Sequence, residues 1–270
     1  MSRRFGCCAP SASCTRGPCA SASGQSPDNV RGAITAAHRL PIRPTWLRPP
    51  LALHVMHPAA LALLVVLSLG VAGYALGVYG FLPLGAAVHP DMRASFATHR
   101  NVVYVHVFAS AVALVLGPLQ FSSRLRTARP GLHRWSGRFY LGVGILLGGL
   151  AGLFMAFHAA GGPGSRLGFT CLALAWLFTG FRAYRAIRAG DVAVHRRWMM
   201  RNFALTFAAV TLRLWLPASL ASGIPFEVAY PVVAWLCWVP NVLAAELLLN
   251  RTHDPTLGRR TAGKSPRRQT

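Results

Sequence analysis

Histidines are the residues of this chain whose placement could support metal chemistry, and they form two groups relative to its apolar segments. The group at one end of these segments comprises His89, His99, His106 and His158. The group at the opposite end comprises His133 and His195. Neutral imidazoles are axial ligands of haem iron. Two layers of histidines on neighbouring helices therefore predict haem b, held by His133 and His195 in one layer and by His106 and His158 in the other.

A stripe of polar residues accompanies these histidines on the fifth apolar segment. His195, Asn202, Thr206 and Arg213 follow one another at intervals of 7, 4 and 7 residues. At about 100° per residue they lie within roughly 40° of one another on a helix. Unsatisfied polar groups are costly in lipid, so the stripe should face the interior of a bundle. An Arg at this depth indicates function, and Arg213 could pair with a haem propionate.

The same residues also fit a second class of protein that binds no cofactor. A single histidine at a helix end often only binds interfacial groups, and Arg213 could extend towards the headgroups beside Trp215. The polar stripe would then serve packing or a pore. The two hypotheses are a haem b-binding redox component with an electron-transfer partner in the membrane, and a small-solute permeation unit or structural module. Neither hypothesis assigns a catalytic residue.

Three glycines lie four residues apart on the third apolar segment, at Gly144, Gly148 and Gly152. Glycine lets two helices approach closely in lipid, which predicts a tight helix–helix seam. The alternative is that these glycines make room for the edge of a flat cofactor. On the second segment, another helix face made mostly of small residues is formed at helical spacing by His106, Ser110, Ala113 and Gly117.

Six apolar runs, each close to the ~20 residues that cross a bilayer, must position these side chains. They cover Pro58–Leu82, Val102–Phe121, Phe139–Phe157, Leu167–Tyr184, Trp198–Leu216 and Val228–Leu249. The sequence therefore predicts an all-α, polytopic membrane bundle of about six transmembrane helices. We expect helices 2–5 to form a four-helix core, with helices 1 and 6 packed around it.

Composition agrees with a membrane protein and excludes a soluble nucleic-acid-binding domain. The chain is 53% hydrophobic and only 13% charged, whereas soluble domains carry about 25% charged residues. Its net charge of +22 would suggest nucleic acid, but the arginines cluster in alternate gaps between the apolar runs. Lys264 is the only lysine, and Arg in place of Lys is typical of a GC-rich bacterial genome.

The arginines in the gaps predict the orientation by the positive-inside rule. Those on one side include Arg124, Arg126, Arg129, Arg134, Arg138, Arg185, Arg188, Arg196 and Arg197, whereas the other gaps hold only Arg93, Arg100 and Arg166. Both termini should therefore lie in the cytoplasm, with the bundle in a bacterial inner membrane.

Three regions follow from this organisation. Residues 1–55 form a basic extension without hydrophobic periodicity, which we expect to be disordered and which an alternative start at Met56 would omit. Residues 56–250 form the bundle, with its core at 102–217. Residues 251–270 form a basic, disordered cytoplasmic tail. Four cysteines lie in the N-terminal extension without a C-x-x-C pair, so no metal site other than haem iron is expected.

Three motifs carry a resemblance to a known family. They are Gly117-Pro118-Leu119-Gln120-Phe121 at the end of the His106 helix, Leu132-His133-Arg134-Trp135-Ser136-Gly137-Arg138-Phe139-Tyr140, and Gly190-Asp191 followed by His195-Arg196-Arg197-Trp198-Met199-Met200-Arg201 and Arg213. Residues 102–217 thereby resemble a bacterial multi-pass membrane protein family known as domain of unknown function two-three-zero-six.

The resemblance implies a membrane bundle but no established activity. His106, His133, His195 and Arg213 match the family pattern, and His158 does not. The family is also distantly similar to cytochrome b561-type bundles, from which this chain departs because no single helix carries two ligand histidines.

The arginine alternation generates a topology prediction. A reporter active only in the periplasm, fused at Arg129 or Ala189, should be inactive because both positions are expected in the cytoplasm. A fusion at Asp91 should be active. Periplasmic activity at Arg129 or Ala189 would show that the orientation is wrong.

Overall fold

The computed structural model describes residues 58–251, and the regular secondary structure in that range is entirely helical. The α-helices are α1 Pro58–Phe81, α2 Pro90–Thr98, α3 Arg100–Gln120, α4 Ser123–Ala128, α5 Pro130–Phe139, α6 Gly148–Phe157, α7 Gly162–Arg188, α8 Val192–Thr206, α9 Ala208–Ala221, α10 Phe226–Leu236 and α11 Val239–Arg251. A π-helical segment, Tyr140–Leu147, joins α5 to α6. Both predicted basic tails lie outside the described residues, apart from Arg251.

Six helical spans are long and apolar enough to cross a membrane, which confirms the predicted bundle. They are span 1 Ala59–Phe81, span 2 Arg100–Gln120, span 3 Pro130–Phe157, span 4 Gly162–Arg188, span 5 Val192–Ala221 and span 6 Phe226–Asn250. The predicted third run begins too late, because span 3 starts nine residues earlier than its apolar run. Those nine residues include two arginines, a histidine, a serine, a proline and two glycines, so hydropathy alone does not detect their helix.

The connections between spans define two faces of the bundle. The basic face contains residues 121–129 and 189–191 and the start of span 1. The histidine face contains residues 82–99, 158–161 and 222–225, and it carries His89, His99 and His158. Helix α2 lies within the longest connection of the histidine face.

Spans 2 and 3 meet along the predicted glycine seam. A Cβ at Gly144 would lie 2.8 Å from the Cβ of Ala113, and one at Gly148 would lie 3.3 Å from the Cβ of Ala109. A Cβ at Gly152 would lie 2.8 Å from the His106 ring. Span 2 therefore fills the space beside all three glycines. The prediction that they admit a cofactor edge does not fit this packing, whereas the prediction of a helix–helix seam does.

Span 5 begins directly after Gly190-Asp191, a pair of residue types that predicts a helix break followed by an N-cap. Gly190 adopts a left-handed φ of 78°, which glycine tolerates without steric cost. The Asp191 carboxylate then accepts a hydrogen bond of 2.9 Å from the Val194 amide, which satisfies a free donor of the first turn. This local geometry confirms the predicted helix start.

Span 6 packs on spans 4 and 5 and is interrupted at Cys237-Trp238. Asn241 and Thr211 both donate hydrogen bonds to the Cys237 carbonyl, the former at 2.9 Å. These bonds satisfy backbone that the interruption would otherwise leave unpaired in lipid. Near the basic face, Arg201 of span 5 binds Glu246 of span 6 through two hydrogen bonds, with Nη2–Oε2 at 2.8 Å.

The seam between spans 2 and 3 generates a stability prediction. Gly144→Ala should lower the free energy of unfolding by about 1–3 kcal/mol, because overpacking a tight contact costs that much. The measurement is thermal unfolding of the purified protein in mild detergent. Gly142→Ala is the matched control, since a Cβ at Gly142 meets no atom within 4 Å. Equal melting temperatures for both variants would contradict the close packing.

Candidate functional site

A buried polar network links spans 3, 4 and 5 at the centre of the bundle. The Tyr140 hydroxyl lies 2.8 Å from Asn202 Oδ1 and 3.0 Å from Thr206 Oγ1. The Trp176 indole N–H donates to Thr206 Oγ1 at 2.9 Å. Asn202 Nδ2 donates to Thr179 Oγ1 and to the Trp176 carbonyl, each at 2.9 Å. The central residue, Asn202, is 0% exposed.

Every side-chain hydrogen in this network has an acceptor. Tyr140 donates to Asn202, the two Asn202 amide hydrogens go to span 4, and Thr179 donates to the Ala175 carbonyl at 2.8 Å. Thr206 can donate to the Asn202 carbonyl at 3.0 Å. A fully satisfied network of this kind stabilises a unique packing in a low-dielectric interior.

A cavity of about 640 Å³ extends from this network towards the histidine face. Trp176 and Thr206 line its inner end, so the polar network also bounds the cavity. The volume falls within the 300–1,000 Å³ common for small-molecule and cofactor sites. No residue of the basic-face connections 121–129 and 189–191 lines it. Within the described residues, the cavity is therefore confined to one half of the bundle.

His106 lines the cavity and has one ring nitrogen engaged in a hydrogen bond. Its Nδ1 lies 2.9 Å from the Gly148 carbonyl, and a carbonyl can only accept, so Nδ1 carries the hydrogen. Nε2 then holds the lone pair and has no hydrogen-bond partner in residues 58–251. The side chain is only partly buried although it lies between spans 2 and 3, because it lines the cavity. This tautomer is the one found in histidines that bind metals through Nε2.

Arg213 brings a positive charge to the same cavity. Its Nη1 donates to the Ala209 carbonyl on its own helix at 2.9 Å, and its guanidinium lies 5.9 Å from the centroid of the Tyr74 ring. No acidic side chain in residues 58–251 forms an ion pair with it. His106 and Arg213 both line this cavity.

Three other histidines line the cavity near the histidine face. The His99 and His158 rings touch, with centroids 4.3 Å apart, and His158 also stacks on Phe154 at 4.6 Å. His89 stacks on Phe226 of span 6 at 4.0 Å. Rings in contact leave no space for a porphyrin plane between them, so His99 and His158 do not fit a pair of axial ligands on one haem.

His133 and His195 lie near the basic face and do not line the cavity. His195 Nδ1 lies 2.9 Å from the Ala183 carbonyl, which ties the start of span 5 to span 4. His133 Nδ1 is buried without a hydrogen-bond partner. The two predicted histidine layers thus differ, because only the layer with His106 and His158 borders a cavity. Within residues 58–251, no group of three or more His, Cys, Asp or Glu side chains could hold a metal ion.

The loop between spans 2 and 3 shows how the basic face is held. Arg126 Nη1 donates to the carbonyls of Gln120 and Phe121, each at 3.3 Å, and satisfies the end of span 2. Burial lowers the pKa of Arg126, and the positive charge of Arg196 lowers it further. Gln120 donates to Ser136 Oγ at 2.8 Å, so the loop is tied to the start of span 3.

A family model described as "Predicted membrane protein (DUF2306)" matches residues 103–249. This match covers more than half of the chain, and the chain belongs to that family. The match confirms the resemblance and extends it, because span 6 lies inside the family region whereas the sequence motifs end at Arg213. No curated protein and no solved structure matches the chain. The similarity to cytochrome b561-type bundles stays a prediction.

Several residues of the site do not stand out in the sequence. Tyr140 ends a motif already noted, but its burial beside Asn202 depends on the packing of spans 3 and 5. Trp176, Thr179 and Tyr74 are single residues in apolar runs, where aromatic and threonine side chains are common. The sequence offers one sign of them, which is that each is a polar or aromatic residue on a helix that can face the polar stripe of span 5.

The buried network generates a second stability prediction. Tyr140→Phe should lower the free energy of unfolding by about 1–3 kcal/mol, because Asn202 Oδ1 loses its donor in a buried site. Thermal unfolding in detergent measures this loss. Tyr104→Phe is the matched control, since Tyr104 stacks on Phe108 without a hydrogen bond among the described residues. A loss equal in both variants would show that the network contributes no specific stability.

Proposed function

We propose that this membrane protein is a redox component that binds haem b in the cavity beneath the histidine face. His106 would hold the iron through Nε2, and Arg213 would pair with a propionate. The observation that carries the proposal is the His106 geometry, in which Nδ1 donates to a backbone carbonyl and leaves the Nε2 lone pair free on a side chain that lines a cofactor-sized cavity. Haem iron would supply one-electron chemistry at this site.

The arrangement of histidines around the cavity favours a haem held by a single histidine. His99 and His158 contact each other with their rings tilted at 54°, whereas the hydrogen-bonded ring of His106 is held separately by the Gly148 carbonyl. A haem held by one proximal histidine, with the other side open, is a known arrangement. His133 and His195 then hold the basic-face ends of spans 3 and 5 and bind no iron, which narrows the two-layer prediction to one layer.

Charge complementarity supports the role of Arg213. A cation inside a membrane is costly, and such residues usually mark a functional site. Within the described residues, Arg213 has one backbone acceptor and no carboxylate. A propionate would provide the missing counter-charge through hydrogen bonds to an ionised group, which are stronger than neutral ones.

We infer the cellular setting from the charge distribution. The described connections of the basic face are rich in arginine, whereas the histidine face carries few. The positive-inside rule then supports a bacterial inner membrane with the basic face and both termini in the cytoplasm. The cavity, the haem and its membrane electron-transfer partner would lie towards the periplasmic side.

The second candidate is a non-enzymatic membrane protein. The glycine seam and the polar network support a structural module directly, because both are helix-packing devices. A small-solute permeation unit is less favoured, because the Tyr140–Asn202–Thr206 network lies between the cavity and the basic face. A structural module and a haem protein differ in visible absorption.

The haem proposal predicts a spectrum and its loss in one variant. Protein purified from haem-replete cells should show a Soret band that shifts on reduction. His106→Ala should remove most of this band, because the iron loses its protein ligand, whereas His195→Ala should retain it. Oxidised and reduced absorption spectra, normalised to protein, measure both. No Soret band in the wild type, or an unchanged band in His106→Ala, would leave the structural module as the function.

A variant that displaces the His106 ring tests whether its position controls haem binding. Gly152→Ala places a Cβ within 2.8 Å of the His106 ring, so it should shift the band or weaken haem retention. Gly142→Ala, whose Cβ is unopposed, should leave the spectrum unchanged.

A further inference from the structure

Span 1 is attached to the bundle more loosely than the other spans. In its most apolar stretch 17% of residues are buried, against 44% in span 2. Added Cβ atoms at Gly70, Gly73, Gly77 and Gly80 would meet nothing within 4 Å. On its other side, Ala72 packs in a buried cluster with residues of spans 2 and 5, and Ala75 packs against span 2. The glycines of span 1 therefore border open space, unlike those of span 3.

Part of that open space is the side of the cavity. Gly70 and Tyr74 of span 1, and Leu214 and Pro217 of span 5, line the cavity and are also exposed on the bundle surface. Tyr74 is 48% exposed and Leu214 is 54% exposed. These residues lie within membrane-spanning segments and line the cavity, which makes the gap between them the candidate lateral opening between spans 1 and 5.

The histidine face offers a more obstructed route. Residues 82–99 lie over this end of the cavity, where Met92 and Phe96 of α2 line it. Phe96 packs against the buried cluster of Ala75, Val103 and Val107. Ser95 Oγ donates to the His158 carbonyl at 3.1 Å and ties α2 to the connection between spans 3 and 4.

Arg213 lies beside the lateral opening. Its guanidinium is over the ring of Tyr74, which borders the opening, and one of its N–H groups is used by the Ala209 carbonyl. The remaining N–H groups have no hydrogen-bond partner in residues 58–251. Most of the cavity lining is apolar. A charged donor beside an apolar chamber complements a molecule with a carboxylate head and an apolar body.

We propose that the cavity takes up its ligand from the bilayer, through the opening between spans 1 and 5, and that Arg213 selects amphiphiles that carry a carboxylate. This inference rests on the proposed function only for the identity of the ligand. Haem b, with its two propionates, is one such amphiphile, and a fatty acid is another. The opening and the charge are independent of iron.

The test uses the full-length protein in nanodiscs and a spin-labelled stearic acid as probe. Electron paramagnetic resonance measures the immobilised fraction of the probe and of its neutral methyl ester. Gly70→Trp should obstruct the opening and reduce stearate immobilisation several-fold. Gly73→Trp is the matched control, because Gly73 is exposed on the same span and does not line the cavity.

Arg213→Gln tests the selectivity. It should weaken stearate binding by about tenfold to a hundredfold, the range for a lost hydrogen bond to a charged group, and leave the methyl ester unaffected. Equal immobilisation of acid and ester by the wild type would overturn the proposal. Equal effects of Gly70→Trp and Gly73→Trp would do the same.

A parallel experiment with haem distinguishes the lateral route from the proposed haem function. Mixing the apoprotein nanodiscs with haem-loaded vesicles should produce a Soret band, and Gly70→Trp should slow its appearance several-fold relative to Gly73→Trp. Selective stearate binding without a Soret band would support the lateral opening and contradict the haem function. A Soret band that forms equally fast in both variants would contradict the lateral route and leave the haem function in place.

Discussion

The cost of an unsatisfied polar group in lipid is the constraint on which this bundle depends. Asn202 brings a side-chain amide to the membrane interior, where each unpaired group costs several kcal/mol. Three spans must stay in register to satisfy it, because its partners lie on Tyr140 and Thr179 and on the Trp176 backbone. The network therefore fixes spans 3, 4 and 5 relative to one another, and span 2 follows through the glycine seam.

This arrangement divides the bundle into two halves with different physical character. Towards the basic face, the spans are closed by the network, by the Arg201–Glu246 pair and by the Gln120–Ser136 bond. Towards the histidine face, the same spans separate around a cavity that span 1 only partly covers. A rigid half gives the cavity a defined inner end, and a peripheral span leaves its side accessible.

The sequence predicts the spans and their periodic features well, because hydropathy and helical spacing are local properties. The six spans, the N-cap at Asp191 and the seam at Gly144 and Gly148 all follow from residues close in sequence. The cavity could not be predicted, because residues of several spans line it and its shape depends on how those spans pack. The contacts of the histidines depend on packing in the same way, since equal depth in the membrane does not determine which rings meet, as those of His99 and His158 do.

The glycine seam and the histidine site are connected through one contact. At Gly144 and Gly148 the seam brings two backbones together, but at Gly152 the group that fills the space is the His106 ring. Gly148 also supplies the carbonyl that holds His106 Nδ1. Two glycines one helical turn apart therefore fix both the position and the tautomer of this imidazole. A small-residue seam, which in most membrane helices serves only packing, here also determines which nitrogen of a cavity-lining imidazole keeps its lone pair.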